Sequence, residues 1–226
     1  MRPPALSSRV AHPRAEIRHG VWLDARLGLW LADLRLLVVA DLHWGYAASH
    51  RARGNLLPWW GDDEIARTLA ALIADYQPGE LILLGDVVHA AEGAAAAECF
   101  IASAPCPVTV IAGNHDRRWR GAGVAQATRG PFFLHHGDAA RAGADGALEI
   151  VGHHHPAAQW RDGAGTRLKL PALVAGERRL ILPAFSPWAA GTPWNDRLGP
   201  GETLWAIAPA RIFPLFPGDP SATAAS

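Results

Sequence analysis

Residues able to bind metal ions or move protons recur at the ends of apolar runs in this chain. Residues 107–112 stop at Gly113 and pass at once into Asn114, His115 and Asp116. Residues 36–40 run into Asp41-Leu42-His43, and residues 81–84 into Gly85-Asp86. Residues 132–134 run into His135-His136-Gly137-Asp138, and residues 148–151 into Gly152-His153-His154-His155. Apolar residues fill consecutive positions in these runs, as in strands buried on both faces. The carboxyl ends of such strands are where open α/β sheets hold their ligands. A lone histidine at a strand end is more often a hydrogen-bonded core residue. Five such junctions in one phase point to a metal site.

The donors define the chemistry. Asp41 and His43 alternate around Leu42, so an extended segment would turn both to one side. His153 and His155 alternate in the same way and could reach two neighbouring ions. Asp86 has two carboxylate oxygens and could bridge two ions. Asn114 offers a neutral carbonyl oxygen, a weak ligand that makes sense beside stronger ones. With His136, the set is two carboxylates, one amide and four imidazoles. That mixture suits Mn²⁺, Fe or Zn²⁺ rather than Ca²⁺. It is too many ligands for one ion that keeps an open catalytic position. Two ions sharing Asp86, about 3.5–4 Å apart, fit better.

A scaffold must bring these junctions together. The chain has 226 residues, 50% of them hydrophobic, enough for one large domain with a sizeable core. That domain is expected over 20–216, after a flexible Pro/Arg/Ser-rich lead-in (1–19) and before a disordered tail (217–226). Three short apolar stretches between residues 21 and 40 predict a β-meander. Residues 56–61 read as a loop. Asp62-Asp63-Glu64 open a helix to about Tyr76, with Ile65, Leu69, Leu72 and Ile73 on its apolar face. The Ala-rich stretch 92–103 predicts a second helix. Beyond residue 112 the pattern is mainly β, with strands around Leu134, Val151, 180–182, 204–207 and 212–213. The expectation is an α/β fold: a four-layer αββα sandwich of two mixed β-sheets flanked by helices.

Composition excludes several classes. The formal net charge is zero, so any nucleic-acid contact must come from a local patch. Cys99 and Cys106 lack a metal spacing and do not make a secreted disulfide scaffold. No apolar run is long enough to span a bilayer, and the N-terminus has no signal-peptide core. A cytoplasmic protein without membrane association is expected.

Asp41-x-His43, Gly85-Asp86, Gly113-Asn114-His115-Asp116, His136-Gly137 and Gly152-His153-His154-His155 stand in the order of the calcineurin-like metallophosphoesterases, which the chain resembles across all five blocks. Three further stretches resemble the bacterial ligase-associated DNA-damage-response endonucleases, the PdeM group. They are residues 85–90, residues 47–54 and Leu182-Pro183-Ala184-Phe185 with Gly191. The resemblance implies that Asp41, His43, Asp86 and His155 hold one ion, and Asp86, Asn114, His136 and His153 the other. His135 and His136 both fit the fourth block; the family's ligand commonly precedes a small residue, here Gly137, which selects His136. It further implies that His115 protonates the leaving group, a task suited to imidazolium near pH 7.

The implied activity is a dinuclear phosphodiesterase, with Mn foremost and Fe or Zn as alternatives. Its substrate would be DNA, cleaved as a nuclease in repair, with a DNA ligase, a helicase and an exonuclease as partners. A phosphodiesterase or phosphatase acting on small nucleotides is the alternative, and a non-catalytic scaffold the weakest reading. Candidate substrate contacts are His89, Arg53, Arg118 and Asp116, the last equally readable as a loop cap. Arg51, Arg117 and Arg120 could also steady phosphates. Trp44 and Trp119 flank the metal loops and could stack on bases, although most of the ten tryptophans are expected to be packing residues.

Overall fold

The computed structural model describes residues 12–119, 121, 123–143, 145–161 and 165–218. The first half alternates strands and helices: β1 (Arg14–Arg18), β2 (Val21–Asp24), β3 (Leu29–Leu31), β4 (Leu36–Ala40), α1 (Tyr46–Ala52), α2 (Gly61–Tyr76), β5 (Glu80–Leu84), α3 (Ala94–Ser103), β6 (Val108–Ile111) and β7 (Gly123–Val124). These strands form one sheet in sequence order. β1 to β4 make the expected antiparallel meander, and β4 to β7 run parallel. The lead-in differs from expectation at its end. Residues Arg14–Arg18 pair with β2 as an edge strand, because their backbone groups complete a ladder that the meander leaves open. Residues 1–11 of the lead-in and 219–226 of the tail lie outside the described residues.

The second half contributes β8 (Gln126–Arg129), β9 (Phe132–His135), β10 (Leu148–Val151), β11 (Pro156–Arg161), β12 (Arg167–Ala175), β13 (Arg179–Ile181), β14 (Thr192–Pro193), β15 (Thr203–Ala208) and β16 (Arg211–Leu215). The order is β14-β11-β12-β13-β10-β9-β8, with β15 on β12 and β16 on β15. β13, β10 and β9 are parallel at the centre, the pairs that flank them are antiparallel, and β14 at the edge pairs parallel with β11. The chain therefore forms two mixed β-sheets with flanking helices, as expected.

Strand alternation sorts the core into layers. Leu36, Val38, Ala40, Ile82, Leu84 and Ile111 point between the sheets and meet Leu134, Ile150, Leu173, Leu180 and Leu182. Leu37, Val39, Leu81, Leu83 and Val110 point the other way, onto Ile65, Leu69 and Leu72 of α2 and Ala97 of α3. Each such Leu or Ile contributes about 1.5–3 kcal/mol on burial. The outer face of the second sheet is covered by Trp160, Trp194, Leu198 and Phe213, with a 3₁₀ turn at Asn195–Arg197. Phe185 N donates to Ala40 O at 2.8 Å, tying the segment after β13 to the end of β4. Among the described residues, no helix is long and apolar enough to cross a membrane.

Candidate metal centre

Both buried sheets end at the same place. The loops after β4, β5, β6, β9 and β10 meet where the inter-sheet core stops, and they continue to bond to one another beyond the strands. His43 N donates to Asp86 O (2.8 Å), Trp44 N to Val87 O (2.9 Å), Ser186 N to Asp41 O (3.1 Å) and Gly152 N to His136 O (3.0 Å). Within this frame Asp41, His43, Asp86, His153 and His155 all have positive φ, between 47° and 64°. For residues with a Cβ this region costs on the order of 1–3 kcal/mol each and persists only where the surroundings impose it. The side chains of Asp41 and His43 thus converge through left-handed turns, not through the extended alternation read from the sequence.

Three donor clusters result among the described residues, each with candidate ligand atoms within 4.8 Å of one another: Asp41, His43 and His155; Asp86, His136 and His153; and, at the mouth, His43, His89 and His115. The first two contain the expected ligands. His155 Nε2 lies 3.3 Å from Asp41 Oδ1, and His136 Nε2 lies 3.4 Å from Asp86 Oδ2. Asn114 Oδ1 and His153 Nδ1 each lie 3.2 Å from His136 Nε2, placing Asn114 with the second cluster. Asp86 Oδ2 stands between these two, 3.9 Å from His43 Nε2. Its Oδ1 is occupied by His115 N at 2.9 Å. His135 turns away: its Nε2 lies 2.6 Å from Glu149 Oε1.

Glycines make the space. Gly85, at φ 78°, faces the His136 ring so closely that a Cβ would overlap it. A Cβ at Gly152 would lie 2.6 Å from Asp41 Oδ2.

Electrostatics suit cation binding. Burial, aided by His155, His115 and His89 and resisted by Asp86, pushes His43 down to about 3, leaving a neutral imidazole at pH 7. Burial pushes Asp86 upward. The hydrogen bond and charge of His136, the His115 amide and His43 outweigh it, holding Asp86 down to about 2 and ionised. Among the described residues, His43 Nδ1, His136 Nδ1 and His155 Nε2 are buried without a hydrogen-bond partner. Such atoms are costly unless something satisfies them. An ionised Asp86 beside a neutral His43, with buried ring nitrogens that nothing in the protein satisfies, fits divalent cations.

A family model of calcineurin-like phosphoesterases matches residues 34–173. The chain belongs to the calcineurin-like phosphoesterase family. It is accordingly a metal-dependent phosphoester hydrolase, and divalent ions are its cofactors. The crystal structure of Pseudomonas putida nuclease MPE matches this phosphoesterase with a TM-score of 0.70 at 25% sequence identity, covering 91% of this chain and 100% of that one. Comparison with curated proteins finds no sequence match.

The remaining candidates fall differently. His115 is exposed at the mouth, its ring edge-on to His43 (5.1 Å between centroids) and stacked on His89 (4.9 Å). Its Nδ1 lies 3.4 Å from His89 O. Burial, with His115, His50 and Arg53, pushes His89 down to about 4. Asp116 is buried and accepts from Val88 N (2.9 Å) and Gly113 N (2.8 Å). It caps the loops and does not reach substrate, because both oxygens are spent on backbone amides that would otherwise be orphaned. Trp44 is 1% exposed and packs on Phe100, so it cannot stack on a base. Arg51 donates to Leu57 O at 2.7 Å and covers the Trp59 ring, which commits it to its own loop. Arg117 is largely exposed, 3.9 Å from Asp138. The Arg118 side chain and Arg120 lie outside the described residues. Arg53 is exposed beside His89.

α1 is not legible in the sequence. At seven residues it is too short to show an apolar period, yet it brings Tyr46 and His50 beside His89, with ring centroids 4.6 and 6.0 Å away.

Proposed function

We propose that this phosphoesterase is a dinuclear nuclease that hydrolyses phosphodiesters of DNA. In this reading Asp41, His43, Asp86 and His155 hold one ion, and Asp86, Asn114, His136 and His153 the second, with Mn²⁺ favoured by the mixed oxygen and nitrogen donors. The carrying observation is the position of Asp86 Oδ2 between the first two donor clusters. Likeness to a nuclease supports the choice of a diester substrate. Bound divalent ions would supply positive charge to polarise the phosphate and acidify the attacking water.

The chain supplies the rest. The amide of His115 is pinned to Asp86 Oδ1, so its ring is held beside the donors without joining them. The His89 carbonyl faces Nδ1 and can orient the ring. From there His115 can protonate the departing alkoxide. The resemblance to ligase-associated repair endonucleases supports cytoplasmic action beside a DNA ligase, a helicase and an exonuclease.

The test is a substrate panel with added Mn²⁺: single-stranded DNA, duplex DNA, cyclic nucleotides and a generic aryl phosphodiester. Metal-dependent DNA cleavage is expected. Turnover of cyclic nucleotides with no DNA cleavage would overturn the nuclease reading.

A further inference from the structure

A cavity of about 470 Å³ opens beside the metal centre, and none of the expected metal ligands lines it. Ser49 of α1 and Arg53 just past its end line it, with Ala94 and Glu98 of α3, and His89 and Trp119 complete the wall. Its volume lies in the range of small-ligand sites. Most of its surface is apolar, with a cation, a carboxylate and an indole at the edges.

Two features link it to the reaction. His89 belongs to the wall and also stacks on His115, so the cavity begins where the phosphodiester would sit. Trp119 follows the Asn114-His115 loop directly. Its indole is fixed: Nε1 donates to Glu98 Oε1 at 2.9 Å, and Gly121 packs tightly against the ring. An indole held in place on an apolar wall loses little entropy on stacking, and every base offers a π-face to it. Arg53 stands at the same rim, suited to a flanking phosphate or sugar.

We propose that this cavity is a nucleobase subsite, receiving the unpaired base of a nucleotide adjacent to the scissile phosphate against Trp119, with Arg53 steadying the backbone. The proposal rests on the nuclease reading above. A base held in a duplex cannot enter such a cleft without leaving its stack. The subsite therefore selects nucleotides whose bases are free.

The test uses two single-stranded oligomers of equal length and charge at saturating Mn²⁺. One is oligothymidylate; the other carries abasic tetrahydrofuran residues, so it has the same phosphates and no bases. Bis(p-nitrophenyl) phosphate reports whether the metal centre works. Wild type is expected to show a lower KM for oligothymidylate than for the abasic oligomer. Trp119→Ala should raise the oligothymidylate KM by about 5- to 150-fold, the range of a lost base–aromatic stack. The KM ratio between the two oligomers should collapse towards one. Ala94→Phe, which fills the cavity and leaves Trp119 in place, should do the same. Equal KM values for both oligomers in wild type, or an undiminished ratio in both variants, would overturn the subsite and leave the nuclease reading standing. Hydrolysis of the aryl diester with cleavage of neither oligomer would overturn both.

Discussion

Replacing Gly152 with alanine tests whether Asp41 must stand where it does. The added Cβ would lie 2.6 Å from Asp41 Oδ2, 2.9 Å from Ala40 Cβ and 3.2 Å from Leu84 O, against ordinary contacts of 3.4–4 Å. Asp41 would have to retreat by about 0.8 Å (3.4 minus 2.6). It has little freedom to do so. It is fully buried, and its two oxygens accept from His153 N at 3.1 and 2.9 Å. Ala40 Cβ is fixed to a core strand and cannot yield. Strain of this kind costs about 1–3 kcal/mol of stability. A displacement near 1 Å in a positioning group costs on the order of 10²-fold in rate. Gly152→Ala is therefore expected to fold with a lowered Tm, to lose about 10² in kcat/KM on an aryl phosphodiester, and to fall from two bound ions towards one. Elemental analysis after gel filtration gives the ion count, and a thermal melt gives the stability. Gly79→Ala is the control, since its Cβ would meet nothing closer than 3.7 Å. Wild-type activity with two tightly held ions in Gly152→Ala would refute the claim that Asp41 is a ligand fixed by this packing.

Three further outcomes are expected. His136→Ala should lose one ion, whereas His135→Ala should keep both and lose stability through Glu149; ion counts reversed between the two would move the assignment by one residue. His115→Asn should keep both ions and lose about 10²–10⁴ in rate on DNA, with a smaller loss on a nitrophenyl diester, whose leaving group needs no proton; equal losses on both would refute proton delivery. Asp24 is fully buried against Arg26 and Tyr76, and although burial pushes its pKa up, the hydrogen bonds and charge of Arg26 outweigh that and hold it below the usual carboxylate range. Its stabilisation is thus fully present above about pH 4 and lost as pH falls through the lowered folded value. Asp24→Ala should cost about 3 kcal/mol at pH 7, towards the low end for a broken buried pair because Arg26 keeps Asp75, and the gap from wild type in urea melts should narrow at low pH.

The donors were legible in the sequence because each sits one to four residues beyond a run of apolar residues, and such a run is a local signal of a buried strand. The same holds for α2, whose acidic first turn and four inward residues fall at helical spacing. The choice between His135 and His136 was not local. On β9 alternate side chains face opposite ways: Leu134 enters the inter-sheet core and His136 continues on that side, while His135 shares the other side with Phe133 and meets Glu149 of β10. Only the pairing of β9 with β10, and the stacking of their sheet on the first, made one side the side of the donor cluster. Trp44 and Asp116 carry the same lesson. Their types suit stacking and substrate contact, but the depth at which the loops pack buries the indole and gives both carboxylate oxygens to backbone amides. The cavity beside His89 had no sequence signature at all. It exists because α1, α3 and the loop ending at Trp119, drawn from three separate stretches of chain, leave a gap where they meet. Residue type and strand-end position are properties of a segment; which way a side chain faces, and what lies opposite it, are properties of the packed sheets.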